Sequence, residues 1–198
     1  MLGVRAPIVE RGRVLLRLTG IGGWAEKDET FEQTVRRESI EETGSDVRLI
    51  DLRSTLVVHS PEDISVVSFA RDIAPAALVY RRFGAPPFDP WSNSYASITP
   101  VAVYVGVLNQ AAIIRRAVEL PLFFWVYPEQ LTDLMVQDEP LEFLRADGAE
   151  LIGEHTFDPA AAVVRLTDSI QALLTALGPR AYDFLADISR LTQPARAE

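Results

Sequence analysis

Short apolar and β-branched runs, bounded by polar residues, recur along the chain. Residues 4–9 and 14–18 are two such runs, joined by the polar stretch 10–13. Runs of this length and composition are typical of strands, so this pair predicts a β-hairpin-like unit. The same pattern predicts further strands at 47–52, 54–58, 64–70, 101–108 and 122–127.

A helix is predicted between two residues with capping chemistry, Thr30 and Gly44. Thr30 is the expected N-cap, and Gln33, three residues later, completes a capping box. Gly44 is the expected stop. One face of this helix is expected to turn toward the core and carries Phe31, Val35 and Ser39. The other face carries Glu38, Glu41 and Glu42.

A second helix is predicted over residues 159–177. Asp158 and Pro159 are the residue types expected at a helix start. Apolar residues then follow at helical spacing, namely Val163, Leu166, Ile170, Leu173 and Leu177. Residues 181–191 form a shorter amphipathic segment, which either caps the core or contacts a second copy of the chain. Residues 159–191 are therefore interpreted as a C-terminal helical extension.

Residues 71–97 show neither the helical nor the strand repeat of apolar residues and are interpreted as an insertion. They concentrate aromatic and arginine side chains, among them Arg81, Arg82, Phe83, Trp91 and Tyr95. Aromatic faces beside guanidinium groups suit stacking on a nucleotide base and binding of a phosphate. The alternative is an aromatic loop packed on the core or on the other subunit of a homodimer.

Composition narrows the class of protein. The 198 residues are 48% apolar, enough for one domain with a full core. The net charge of −9 argues against binding of nucleic-acid polymers, because that affinity comes from many cations. The absence of cysteine excludes disulfides and thiol chemistry. No stretch has the pattern of a membrane span or secretory signal, so we expect a single cytoplasmic domain without a membrane partner.

Three glutamates are clustered near the end of the first predicted helix. At helical pitch Glu38, Glu41 and Glu42 fall within one turn, where like charges repel and the helix dipole adds negative charge. A divalent cation would offset this repulsion, and magnesium is usually held by one or two carboxylates together with substrate phosphates. The alternative is a solvated face of arginine and glutamate side chains.

The spacing of the residues that flank these glutamates favours a cation site over a solvated helix face. Seven positions match the pattern G-x5-E-x7-R-E-U-x-E-E-x-G-U: Gly23, Glu29, Arg37, Glu38, Glu41, Glu42 and Gly44. At roughly 6% usage per position, a chance match is on the order of one in a million. The segment therefore resembles the Nudix box of the Nudix hydrolase family. Ser39 and Ser45 depart from it, standing where the family usually carries an apolar residue.

The resemblance implies an α/β fold, a Nudix-type α/β/α sandwich with a mixed central sheet. It implies Mg²⁺- or Mn²⁺-dependent hydrolysis of a nucleoside diphosphate linked to another moiety X. The implied metal ligands are Glu38, Glu41, Glu42, the Gly22 carbonyl and Glu119, and Arg37 is expected to brace Glu29. The general base stays open between the box glutamates Glu38 and Glu41 and the loop residue Glu119. A Nudix-fold module that binds a nucleotide or a partner without hydrolysis is the alternative.

Overall fold

The computed structural model describes residues 2–60, 62–68, 73–83, 97–108, 120 and 122–192. Within these ranges the chain is mixed α/β, as predicted. The strands are β1 (Leu2–Val4), β2 (Ile8–Glu10), β3 (Arg13–Thr19), β4 (Val47–Leu49), β5 (Ser54–Ser60), β6 (Asp63–Ser68), β7 (Ala77–Phe83), β8 (Ser97–Val103), β9 (Gly106–Leu108), β10 (Leu122–Trp125), β11 (Glu139–Pro140), β12 (Glu150–Ile152) and β13 (Ala162–Leu166). The helices are α1 (Phe31–Thr43), α2 (Pro128–Val136), α3 (Leu141–Ala146), α4 (Asp168–Leu177) and α5 (Arg180–Thr192), and Pro159–Ala161 forms a 3₁₀ turn.

The described strands pair into three groups. The largest has the order β11-β13-β3-β1-β10-β12, and β2 pairs with β3 beside β1. Its pairs are antiparallel except β13 with β3, which is parallel. A second sheet has the order β6-β5-β7-β8, with β5 and β7 parallel. The third group is β4 with β9. The largest sheet and the second sheet are therefore both mixed.

The N-terminal hairpin forms as predicted, but its first strand is interrupted. β2 and β3 pair antiparallel through a turn at Arg11 and Gly12, both at positive φ. β1 pairs with the far end of the same β3. Pro7, between β1 and β2, has no amide hydrogen to donate to the ladder, which accounts for the break.

Alternation along β3 defines the two faces of the largest sheet. Leu16 and Leu18 belong to the main buried core, as do Val4 of β1 and Phe124 of β10. Helix α4 contacts β3, β5, β7 and β8, so it joins the largest sheet to the second sheet over this core. Residues between the core positions project from the opposite face. That face carries Arg17, and β3 continues directly into the loop that approaches α1.

The predicted helix over residues 159–177 is wrong in its first half. Ala162–Leu166 is strand β13, in parallel register with β3, and α4 begins only at Asp168. Ala162 and Val164 are buried while Val163 is half-buried, which is the alternation of a strand, and β-branched residues favour it. The helical extension is therefore limited to α4 and α5. None of the described helices is both long and apolar enough to cross a membrane.

Residues 77–83 are a strand, in contrast to the irregular insertion predicted over 71–97. β7 lies inside the second sheet, parallel to β5 and antiparallel to β8. Ala77 and Val79 are completely buried, and α4 contacts this strand. Residues 84–96 lie outside the described ranges, so for them the insertion stays a prediction.

Candidate functional site

Helix α1 begins and ends where the sequence predicts. The Gln33 amide donates to Thr30 Oγ1 at 3.2 Å, and the Thr30 amide donates to Gln33 Oε1 at 2.8 Å, which completes the capping box. At the other end the Gly44 amide donates to the Ile40 carbonyl at 2.8 Å. Gly44 has φ 69°, a left-handed conformation that glycine adopts without a Cβ penalty. Local chemistry therefore fixes both ends of the glutamate-bearing helix.

The buried face of α1 is polar, which the sequence analysis did not predict. Phe31, expected in the core, is 43% exposed, and Ile40 is 52% exposed. The buried positions are Thr34, Glu38, Ser39, Glu42 and Thr43. Ser39 is thus buried as predicted, but the expectation that Glu38 and Glu42 face away from the protein is wrong. Two carboxylates lie on the inner side of the helix, and Glu41 lies at its surface.

Hydroxyl groups replace apolar packing at the end of α1. Ser39 Oγ donates to the Ser45 carbonyl at 2.7 Å, and Thr43 Oγ1 donates to the Ser39 carbonyl at 2.6 Å. All three residues are buried. Hydrogen bonding removes most of the cost of burying a hydroxyl. The two serines that depart from the family pattern therefore tie the helix to the turn that follows it.

Arg37 lies at the centre of the polar cluster. Its Nε and Nη2 donate to the two carboxylate oxygens of Glu29 at 3.0 and 3.1 Å, and Nη2 also donates to the Trp24 carbonyl at 3.0 Å. Nη1 donates to Glu38 at 2.7 Å and to Glu41 at 2.9 Å. The predicted brace to Glu29 is confirmed. The same guanidinium also offsets the charge of two predicted metal ligands.

These contacts shift the pKa values of the partners. Hydrogen bonds from Arg37 and then from the Glu26 amide lower the pKa of Glu29 to about 2. Hydrogen bonds to Glu29, then Glu38, raise the pKa of Arg37 above its ordinary value. Both groups therefore stay charged at neutral pH, and the contact between the loop and the helix is an ion pair there.

We expect this ion pair to contribute to stability at neutral pH and to be lost in acid. The pKa of Glu29 falls from 4.5, its ordinary value, to about 2 in the folded protein. Its contribution is therefore fully present above about pH 4.5 and disappears as the pH falls toward 2. Free energies of unfolding from urea titrations should show the advantage of wild type over Glu29→Gln shrinking through this window. An advantage that does not change with pH would contradict the expectation.

Two glycines bring the loop against the inner carboxylates. The Gly22 amide donates to Glu42 Oε2 at 3.0 Å. A Cβ atom at Gly23 would overlap the carboxyl group of Glu38, so this approach requires the absence of a side chain. The loop and α1 thus meet at Glu38 and Glu42. The predicted role of the Gly22 carbonyl as a metal ligand stays a prediction.

Arg37 contacts three of the carboxylates in this region, those of Glu29, Glu38 and Glu41. Within the described ranges, no three or more His, Asp or Glu side chains are grouped so that they could hold a metal ion. Three predicted residues, Glu119, Trp91 and Tyr95, lie outside those ranges. For Arg81, Arg82 and Phe83 the structure describes the backbone in β7, so their role in substrate binding stays a prediction.

Sequence reasoning missed two further residues. Trp24 is 69% exposed, and its carbonyl is bound by Arg37. Arg17 lies in β3, and its buried Nε has no hydrogen-bond partner among the described residues. The signal for Arg17 was available, because it is the one charged residue in the apolar run 14–18.

The geometry therefore places Glu29, Arg37, Glu38, Glu41 and Glu42 in one polar cluster between a glycine-containing loop and α1. This cluster and its spacing in the sequence are the basis for a functional interpretation. Comparisons of the chain with protein-family models, with curated proteins and with solved structures found no match.

Proposed function

We propose that the protein is a Mg²⁺- or Mn²⁺-dependent hydrolase of a nucleoside diphosphate linked to another moiety X. The observation that carries this proposal is the folding of the loop onto α1 through the residues that match the Nudix box. Arg37 holds Glu29, Gly22 contacts Glu42, and Gly23 closely approaches Glu38. A merely solvated helix face would not place two of its glutamates inward against a loop.

We further propose that the architecture is a Nudix-type α/β/α sandwich. The mixed sheet around β3 supports this, as does α4, which contacts β3 on its core face. Helix α1 lies against β4 and buries polar residues, whereas α4 packs on the apolar core. The two helices would then form the outer layers on either side of the sheet.

The donor chemistry of the cluster fits a hard divalent cation. Glu38, Glu41, Glu42 and the Gly22 carbonyl offer oxygen atoms, the ligands that magnesium and manganese take from proteins. Glu38 and Glu41 would have to exchange Arg37 Nη1 for the cation, while Nε and Nη2 could keep Glu29. When bound, the cation would supply charge neutralisation of the diphosphate and a water of lowered pKa.

The chain's own residues would position the loop and accept a proton. Arg37 positions the loop by holding Glu29 and the Trp24 carbonyl, so that Gly22 and Gly23 stay close to α1. A carboxylate accepts the proton of the attacking water, and the residue for this is one of Glu38, Glu41 or Glu119. Positioning and charge stabilisation carry most of the rate in phosphoryl transfer, so small shifts of these groups should matter.

A substrate panel tests the proposal. The purified protein is incubated with Mg²⁺ or Mn²⁺ and with a nucleoside triphosphate, a nucleotide sugar, a dinucleotide or a coenzyme A derivative. Products are identified by chromatography and mass spectrometry, and an excess of EDTA is the control. We expect metal-dependent cleavage at the diphosphate of at least one class. Intact substrates in every class, with either metal, would count against hydrolysis.

One observation favours a second candidate, a module that binds a nucleotide or a partner without hydrolysing it. Arg37 already offsets the charge of Glu38 and Glu41, so a cation is not the only group that can relieve the repulsion between them. In that case the panel would show saturable binding of a nucleotide by calorimetry and full recovery of the unchanged ligand. Turnover of any class would exclude this candidate.

Gly23→Ala is expected to lower the hydrolytic activity at least about tenfold with little loss of stability. The new methyl would displace the Glu38 carboxyl group, which is the mobile end of a flexible side chain. Gly20→Ala is the matched control, because a methyl there would only reach ordinary contact with Ile170 at 3.8 Å. Initial rates and melting temperatures of the three proteins provide the comparison. Equal rates in all three would show that the approach of Gly23 to Glu38 is unimportant.

A further inference from the structure

Three arginines lie side by side across the largest sheet. Arg17 of β3 is the register partner of Arg165 of β13. On the other side, the Arg5 amide donates to the Arg17 carbonyl at 3.1 Å, which continues the register of β1 with β3. Residues directly opposite each other on neighbouring strands project from the same face of a sheet. We use the name arginine row for Arg5, Arg17 and Arg165.

The arginine row projects from the face opposite the main core. Its neighbours in β3, Leu16 and Leu18, are buried in that core, so Arg17 points the other way. Thr19, two residues further along β3, shares this face and precedes the loop that contains Gly22. The row and the carboxylate cluster are therefore reached from the same strand.

Arg165 and Arg17 differ in their hydrogen-bond partners. Like charges directly opposite each other destabilise a sheet. Arg165 is offset by Asp138, whose two oxygens accept from Nε at 2.8 Å and from Nη2 at 2.6 Å. Arg17 differs, because its Nε is buried and has no hydrogen-bond partner among the described residues. A buried donor without a partner costs free energy that an acceptor would recover.

We propose that the arginine row binds the phosphate group of a small molecule, with Arg17 as the central contact. A guanidinium presents planar paired donors that match phosphate oxygens, and Arg17 has such a donor unused. The protein as a whole carries −9, so an anion needs a local group of cations to bind here. The carboxylate cluster would repel a phosphate in the absence of metal. Because the arginines themselves supply positive charge, binding to the row needs no metal and is separate from the proposed hydrolysis.

Pyrophosphate in the presence of EDTA is the probe for this site. At constant ionic strength, set with sodium chloride, it should bind the wild-type protein saturably by calorimetry and raise its melting temperature. Arg17→Gln should weaken the affinity at least about tenfold, as expected for loss of a charged hydrogen bond. Arg13→Gln is the matched control, because Arg13 lies in the same strand but opposite Glu10. Glu42→Gln should bind pyrophosphate as well as wild type, which separates this site from the carboxylate cluster.

The stability of a second variant distinguishes a ligand site from a structural arginine. Arg17→Met removes the unpaired buried donor and keeps an apolar stem, so without pyrophosphate it should be at least as stable as wild type. Pyrophosphate should no longer raise its melting temperature. If neither Arg17 variant folds, Arg5→Gln gives the same comparison from the exposed end of the row. Absence of saturable binding to wild type, or equal affinity of wild type and the row variants, would overturn the proposal.

Discussion

Glu42→Gln is expected to lower metal-dependent turnover at least about 100-fold while leaving the fold intact. Glu42 is buried, and its Oε2 accepts the Gly22 amide at 3.0 Å. A glutamine oxygen can accept the same hydrogen bond, so the loop should stay in place while the negative charge is lost. Stability of the metal-free protein should stay level or rise, because repulsion among the glutamates of α1 decreases. Initial rates with saturating Mg²⁺ and thermal unfolding measure the two effects.

The matched control for Glu42 is Glu32→Gln. Glu32 lies on the same helix but pairs with Arg36 at 3.1 Å, outside the cluster around Arg37. Its activity should stay within a factor of about two of wild type, as is usual for surface changes. Near-normal turnover of Glu42→Gln, or an equal loss in Glu32→Gln, would remove the argument for a metal site at this helix.

Arg37→Ala is expected to lower both activity, at least about tenfold, and thermal stability. The substitution removes the guanidinium that binds both carboxylate oxygens of Glu29. It also leaves the Trp24 carbonyl and the Glu38 carboxylate without the hydrogen bonds that Arg37 donates to them. Arg37→Lys should restore only part of both, because a lysine cannot bind the two Glu29 oxygens in a planar fork and reach the Trp24 carbonyl as well.

Arg36→Ala is the neighbouring control for Arg37. Arg36 binds Glu32 and the Val47 carbonyl, so its loss should affect stability and leave the rate almost unchanged. Wild-type rates for both Arg37 variants would show that the brace has no functional role. The same loss of rate in Arg36→Ala would show that any weakening of α1 is sufficient.

The parts of the site that were predicted correctly depend on local chemistry. The capping box of Thr30 and Gln33, the left-handed Gly44 and the pair of Arg37 with Glu29 each involve residues within eight positions of each other. The helix ends follow from residue type and spacing alone, whereas the pair of Arg37 with Glu29 was implied by the resemblance of the motif to the Nudix box. The spacing of the motif therefore located the helix and its brace without knowledge of the sheet.

The parts that were not predicted depend on distant neighbours. Val163 and Leu166 fit a helix by spacing, but pairing with β3 makes residues 162–166 a strand. The side of α1 that faces inward could not be deduced from hydrophobicity, because its exposed face carries Phe31 and Ile40 and its buried face carries glutamates. In both cases tertiary contacts outweigh local preference. The arginine row was hidden for the same reason, since its members are brought together only by strand register.

The parallel pairing of β3 with β13 also constrains how the protein is made. Thr167, just after β13, donates its hydroxyl to the Leu18 carbonyl across 149 positions of sequence, at 2.8 Å. During synthesis β2 and β3 can form their hairpin early, but one edge of β3 stays unpaired until residues 162–166 leave the ribosome. Contacts so distant in sequence slow folding, and an open strand edge favours misassociation in the meantime. The loop that carries Gly22 follows β3, so the candidate site is expected to become rigid only late in folding, and weakening of β13 should impair it from a distance.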